Sequence, residues 1–377
     1  MDFGLTPEQQ GLRDELRAFF KAEWPLDAAL DLEDREAAHS PDLWRKLAQR
    51  RWLGLAYPKE FGGEGLGLLE LAIFFEECGR AVAPSSVFST VALGGLTILQ
   101  AGSMKQKRLL LGAIARGDQQ ATVAVQEEGH GLAPSGVTMT ARAQGSSYVL
   151  SGAKAFVPNA QDADCLVVAA RTAKARTPEE GVTLFLVAKG TPGLSFEPLR
   201  TFYPHGHCNV GFRGVRVPQA DILGPVGGGW PMLARALELA GIGQCAEMLG
   251  GAQEAFERSV EYSKVRVQFG RPIGSFQAIQ HYAANMITDI DGGRFLTYQA
   301  AWRASQGLSC SREAAMAKHK MSQCYVRTTN QAHQIHGGIG FYTDFNLHHY
   351  FKKAKMLEVE LGGPDEALER VARALEL

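Results

Sequence analysis

The stretch VRVQFGRPIGSFQ, residues 265–277, decides how this chain is read. It packs two glycines, two arginines, two glutamines and a proline into thirteen residues, in the middle of a half that otherwise reads as helix. Upstream, Leu249, Ala252, Phe256 and Val260 mark one helical stripe; downstream, Ile279, Tyr282, Met286 and Ile290 mark another. The insert is therefore a polar, rigid break between two helices. Arg266 and Gln268 fall at a helix end, just before a Gly270-Arg271-Pro272 turn. An exposed guanidinium on a fixed backbone suits a pyrophosphate, which it grips through two parallel hydrogen bonds. A second stretch, QIHGGIGF (334–341), offers Gln334 and the bare backbone of Gly337 and Gly338, where a nucleotide could approach closely. Two ordinary helix-terminating loops would look the same, and spacing alone leaves both readings open.

Around these stretches the chain is an ordinary globular protein, with 45% hydrophobic and 21% charged residues. Lys and Arg number 39 against 40 acidic residues, so no global field attracts nucleic acid or an anionic membrane. The six cysteines, at 78, 165, 208, 245, 310 and 324, form no CxxC pair; they read as reduced, buried thiols and not as a disulfide framework or a zinc site. No apolar run approaches the roughly 18 residues of a membrane span. The opening MDFGLTPEQQGLRDEL lacks the basic and apolar regions of a secretory signal, so the expected location is the cytoplasm.

The order along the chain is helices, sheet, helices. Leu12, Leu16 and Phe19/Phe20 set a helical period that returns at Leu43, Leu47 and LLELAIFFEECGRA, broken by the turn-rich YPKEFGGEG. From about Ala121 the texture changes to short Val-, Leu- and Phe-rich runs: ATVAV, SYVLSGAKAFV, DCLVVAA, VTLFLVA and the alternating NVGFRGVRV. No helical pattern separates them, which predicts an antiparallel sheet or barrel and not a doubly wound parallel sheet. The triple glycine of GPVGGGWPM marks the crossing back to helix, with Pro231 near a new N-terminus. Further helices are expected over about 312–335 and from about 364 onward. The expected division is 1–120 helical, 121–225 sheet and 226–377 helical.

Other chemistries find little support. GPVGGGW lacks the strand–GxGxxG–helix context of a dinucleotide loop. His333 and His336 have a spacing that can put two imidazoles on one helix face, but no third ligand stands near in sequence, and no metal is expected. No serine sits in a GxSxG elbow.

RVQFGRPIGSFQ followed by QIHGGIGF resembles the acyl-CoA dehydrogenase family, and the likeness extends over the whole chain. The resemblance implies an α+β protein: an N-terminal helical domain, a middle antiparallel β-barrel domain and a C-terminal four-helix bundle. It implies FAD as cofactor, lying across a subunit boundary, with contacts from Arg266, Gln268, Phe269, Phe276, Gln277, Gln334, Gly337 and Gly338, and from Phe156, Val157 and Pro158 at the family's W-I-T-N position. The implied reaction is α,β-desaturation of an acyl-CoA thioester: a carboxylate takes the α-proton and the β-hydrogen leaves as hydride to the flavin. An electron-transferring flavoprotein is the implied electron acceptor, and a dimer or tetramer the implied assembly.

The chain departs from that pattern where the base should be. Aligned on Ala354-Lys355, the family's loop glutamate becomes Leu361; the alternative seat, 26 positions before Arg266, is Ala240. Glu360 is one residue from the first seat. Glu247 is seven residues from the second, on nearly the same helix face but about 10 Å along the axis. The catalytic candidates are therefore Glu360, Glu247, or no base in this chain. The family's TEPxxGSD is here VQEEGHG, and Pro158 replaces the threonine whose hydroxyl faces the flavin. These losses resemble the smaller subunits of heteromeric acyl-CoA dehydrogenases that act on steroid side chains and other bulky acyl groups, in which a paralogous subunit supplies the glutamate. A non-catalytic paralogue that binds acyl-CoA or a partner, and an acyl-CoA oxidase, are the alternatives.

Overall fold

A computed structural model describes residues 4–174, 176–203 and 206–376 of the chain. Its helices, in chain order, are α1 (Pro7–Glu23), α2 (Leu26–Asp34), α3 (Pro41–Gln49), α4 (Leu68–Arg80), α5 (Ser85–Phe88), α6 (Gly95–Ala101), α7 (Met104–Arg116), α8 (Trp230–Val265), α9 (Gln277–Ser305), α10 (Ser311–His336), α11 (Leu347–Val359) and α12 (Pro364–Ala374). The strands are β1 (Ala121–Ala124), β2 (Thr140–Gln144), β3 (Ser147–Val157), β4 (Cys165–Arg171), β5 (Val182–Ala188), β6 (Leu194–Pro198), β7 (Cys208–Pro218), β8 (Ile222–Leu223), β9 (Val267–Gln268) and β10 (Arg271–Pro272). Among the described residues no helix is long and apolar enough to cross a membrane.

The chain divides into two compact units. One gathers the chain up to Asp31, Gly67–Ala83 and the chain from Gly241 onward; the other gathers Leu32–Leu66 and Pro84–Ala240.

In the first unit, α1 starts on a capping box in which Thr6 and Gln9 satisfy each other's backbone donors. It buries Leu16, Phe19 and Phe20 against α4, which is apolar nearly all round. Two acidic residues of α4 lie in that contact and are paired. Glu76 receives Arg294 at 2.6 Å, and Glu77 receives Arg17 at 2.7 Å. Burial raises the Glu76 carboxyl, but the guanidinium groups of Arg294 and Arg13 outweigh it and hold the group below its ordinary value. The central helix is α10, which packs against α9, α11 and α12.

The second unit is built on a sheet of order β6-β7-β3-β2-β4-β5-β8, with β1 added beside β4. The runs CLVVAA of β4 and VTLFL of β5 are buried almost throughout, as expected of strands covered on both faces. By contrast β7 alternates, burying Val210, Phe212, Val215 and Val217 while Arg213 and Arg216 face out. The sheet is mixed, which corrects the expectation of antiparallel pairing throughout: β1 runs parallel to β4, and β2 meets β4 in a parallel pair at Thr140 and Arg171. Alternation and apolarity report which faces of a strand are covered and say nothing of its direction, so sequence could not reveal this. The path-end strands β6 and β8 do not pair with each other among the described residues, so no closed barrel is seen there. β3 and β7 pair with two register breaks, the second between Lys154 and Val157. Phe156 (φ 51°) lies within that break and Asn159 (φ 49°) just beyond it. A break of this kind re-aims the side chain it contains, and Phe156 is left 53% exposed between buried neighbours.

Candidate functional site

The opening motif forms a β-hairpin fused to the end of α8. The amide of Arg266 closes the helix on the Tyr262 carbonyl at 2.9 Å, and the Arg266 carbonyl then accepts from Ile273 at 2.8 Å. Between them β9 and β10 pair Gln268 with Arg271 and Val267 with Pro272. The two-residue loop is Phe269-Gly270, with φ of 52° and 79°. Positive φ at both central residues is the signature of a type I′ turn. The sequence placed the turn at Gly270-Arg271-Pro272; it lies one residue earlier, and Arg271 and Pro272 are already strand. Arg271 lays its guanidinium 4.2 Å above the Phe276 ring, and Phe269 meets the same ring edge-on at 6.2 Å. The Arg271–Phe276 contact braces the hairpin. Arg266 and Gln268 are left exposed on it, Phe269 stands 92% exposed, and Phe276 is half-buried.

Gln277 opens α9, and no side chain caps that terminus. A long helix with an uncapped N-terminus offers free amides and the positive end of its dipole. Arg266 stands eleven residues earlier, on the hairpin that leads into this helix.

The second motif ends α10. Gln334 is exposed, whereas His333 and His336 turn inward and give their Nδ1 hydrogens to Thr329 O (2.8 Å) and Ala332 O (2.7 Å). His336 stacks on Tyr262 at 4.5 Å and meets Phe345 at 4.9 Å. Burial holds its imidazole below the ordinary value, against the pull of the Ala332 carbonyl. The spacing of these two histidines thus serves packing. Tyr262, four residues before Arg266, links the arginine hairpin to the glycine loop through that stack, and nothing in its helical stripe singled it out. Gly337 (φ 62°) and Gly338 are exposed, and a Cβ on either would meet nothing within 4 Å. They lie at the C-terminal end of α10, where the helix dipole repels anions. What they offer is bare amides and room for close approach. Guanidinium, carboxamides and open amides together fit the diphosphate of FAD.

The candidate bases are both held. Glu247 on α8 is 3% exposed and pairs with Lys353 of α11 at 2.6 Å; Lys353, 1% exposed, also donates to Ala83 O at 3.0 Å. Glu360 accepts from Gln244 Nε2 at 2.9 Å, and its carbonyl accepts from Lys318 Nζ at 2.7 Å. Leu361 occupies the loop seat with φ 58°, and Ala240 is fully buried on α8.

In the second unit, Phe156 presents its ring at the end of β3, while Val157 points into the sheet core and Pro158 is buried with its carbonyl accepting from Thr122 Oγ1 at 2.7 Å. Beside them, Glu127 of VQEEGHG pairs with the fully buried Lys154 at 2.6 Å and accepts from the amides of Thr138 (3.0 Å) and Met139 (2.9 Å). Burial pushes the Lys154 ammonium down to about 8 despite that carboxylate. The degenerate motif therefore keeps one anchored acid, tied to a lysine 27 residues on that reads in sequence as an ordinary strand position.

Three family descriptions match the chain in order: the acyl-CoA dehydrogenase N-terminal domain over residues 6–118, the middle domain over 122–215 and the C-terminal domain over 227–376. The acryloyl-CoA reductase (NADH) of Anaerotignum propionicum is 34% identical over 96% of this chain and 93% of its own. Butyryl-CoA dehydrogenase from Megasphaera elsdenii superposes with a TM-score of 0.94 at 28% identity, covering 100% of both chains. A chain of the ChsE4-ChsE5 complex from Mycobacterium tuberculosis superposes with a TM-score of 0.91 at 29% identity, over 100% of this chain and 99% of that one. With the three parts matched in order along the chain, this protein belongs to the acyl-CoA dehydrogenase family of FAD-dependent flavoprotein oxidoreductases.

Proposed function

We propose that this chain is the base-poor subunit of an oligomeric acyl-CoA dehydrogenase, desaturating an acyl-CoA thioester together with a paralogous chain that supplies the glutamate. One observation carries this: each carboxylate near the family's two base seats already has an internal partner, Glu247 with Lys353 and Glu360 with Gln244. A general base must reach the proton it takes. Glu247 would have to break its buried ion pair to do so, and the half-buried Glu360 would have to leave the Gln244 carboxamide. The likeness to a chain from a complex of two differently named components supports the reading.

On this reading Arg266, Gln268 and the first amides of α9 bind the cofactor diphosphate, with Gln334, Gly337 and Gly338 completing the cradle. Phe269 and Phe276 supply apolar surface on the hairpin; in the second unit Phe156 supplies its own, next to Val157 and Pro158 in sequence. FAD, when bound, supplies the hydride acceptor. The Leu361 amide would donate to the thioester oxygen, stabilising charge as the α-proton leaves, and the leucine side chain keeps water from that position. The electron acceptor is an electron-transferring flavoprotein, the location is the cytoplasm, and the bounds 1–120, 121–225 and 226–377 describe the three domains.

The test is anaerobic reduction of the FAD-loaded chain by a panel of acyl-CoA thioesters, alone and with chains that co-purify with it. Bleaching of the flavin only when a second chain is present is the expected result. Bleaching by the purified chain alone would overturn the proposal, and Glu360→Gln and Glu247→Gln would then identify the base. A protein that stays colourless after FAD is added would overturn the flavin reading itself.

A further inference from the structure

Lys318 of α10 is 4% exposed, and its ammonium meets three acceptors on two segments: Gln244 Oε1 of α8 at 2.7 Å, and Leu357 O and Glu360 O at the end of α11, each at 2.7 Å. Gln244 of α8 completes a circuit by donating Nε2 to Glu360 Oε2 at 2.9 Å. Glu360 is thus held at both main chain and side chain. Leu357 and Glu360 lie at the C-terminal end of α11, where carbonyls lack helical partners and carry the negative end of the dipole. A buried cation there caps the helix from outside.

Directly after this anchor the backbone enters a conformation that L side chains resist: Leu361 has φ 58°, followed by Gly362 at φ 101°. A Cβ on Gly362 would lie 2.8 Å from Glu366 Oε2 and 3.0 Å from Arg370 Nη2, so α12 closes the other side. A left-handed leucine persists only where its surroundings over-determine it.

We propose that Lys318, Gln244 and Glu360 form a closed hydrogen-bonded ring that fixes the 360–363 loop in its left-handed geometry, and that Lys318 and Gln244 are positioning residues for the acyl-CoA reaction. The catalytic part of this inference rests on the function proposed above; the structural part does not. Lys318 never touches the reacting atoms. It acts by fixing where the Leu361 amide points.

The ring has a titratable member. Burial pushes the Lys318 ammonium down to about 8, against the pull of Glu360 and Glu358 and with Arg370 adding to the effect. Burial raises the Cys245 thiol to about 12, so that neighbour stays neutral. An ammonium fills three acceptors, whereas a neutral amine has two hydrogens. Raising the pH through about 8 therefore removes one bond from the ring.

The experiment is hydrogen–deuterium exchange on the full FAD-loaded chain, comparing the parent with Lys318→Met and Gln244→Leu. Exchange of the amides over 360–363 is expected to rise at least tenfold in both variants, with the 265–277 hairpin unchanged within twofold. In the parent, protection of that loop, corrected for intrinsic exchange, should fall between pH 7 and 9, and in Lys318→Met it should be flat. Loop protection in the variants equal to the parent's overturns the ring. If Lys318→Met does not fold, Gln244→Leu and the parent's pH profile decide the outcome alone, and a flat parent profile with a protected Gln244→Leu loop counts against it. In complexes that turn over, kcat should fall with KM and FAD affinity within twofold; a KM effect alone overturns the positioning role. Failure of the acyl-CoA reading would appear as absent turnover in the parent, with the exchange result intact.

Discussion

The pair Glu247–Lys353 allows a structural role to be separated from a catalytic one. The two side chains are 3% and 1% exposed and meet at 2.6 Å, while Glu247 Oε2 is buried with no hydrogen-bond donor. Removing one partner of such a pair leaves an uncompensated buried charge, which costs about 3–5 kcal/mol. Lys353→Met strips the carboxylate of its ion-pair donor and should fall at the upper end. Glu247→Gln keeps a carbonyl oxygen for Lys353 and should cost about 3 kcal/mol. With a denaturant slope near ~3 kcal/mol per molar urea, that is a midpoint shift of about 1 M. The double variant Glu247→Leu/Lys353→Met replaces two buried charges with apolar groups of similar volume. Its cost should lie near zero, far below the sum of the single variants. Urea unfolding followed by circular dichroism measures all of these. The reasoning is refuted if Glu247→Gln leaves the midpoint unchanged while abolishing flavin reduction by acyl-CoA, because that is how a catalytic base behaves.

Arg266→Ala should weaken FAD binding by about 2–4 kcal/mol, the loss of a charge-assisted bidentate contact, whereas Arg266→Lys should lose about half of that; quenching of flavin fluorescence on titrating the apoprotein reads both. Gly338→Val places its side chain in space that is open in the isolated chain, so unfolding should be unchanged while flavin uptake drops at least tenfold. Lys154 has a folded pKa of about 8 against the ordinary 10.5, so the unfolded state binds more protons between those values and this residue adds stability as pH rises through that window. The difference in melting temperature between the parent and Lys154→Met, which carries no such group, should change with pH between about 8 and 10, and a constant difference would count against the buried cation.

Periodicity carried much of the architecture. The α8 and α9 stripes were legible because a helix that buries one face repeats every 3.6 residues, and β7 because it buries one face in two. The hairpin was legible as an interruption, yet its centre was misplaced by one residue: Gly270-Arg271-Pro272 carries the ordinary turn signals, and a phenylalanine at φ 52° carries none. Strand direction left no trace, so β1 beside β4 could not be read as parallel. The polar core was the least visible. Lys154, Lys318 and Lys353 each occur singly among residues whose pattern says only strand or helix. Their partners are 27, 42 and 106 positions away, and only folding brings them together. Tyr262 was hidden in the same way: its value lies in the imidazole stacked on it, which belongs to another helix.

The Phe269 turn has a consequence for the life of the polypeptide. Type I′ loops are easiest for Asn-Gly; here an aromatic residue takes the first central position and holds its ring 92% in water. The isolated chain gains from neither choice, since both oppose its stability until something lies against the ring. Chains left without company after synthesis should therefore be the ones that chaperones and proteases find first, and cellular abundance should follow the supply of whatever covers that ring.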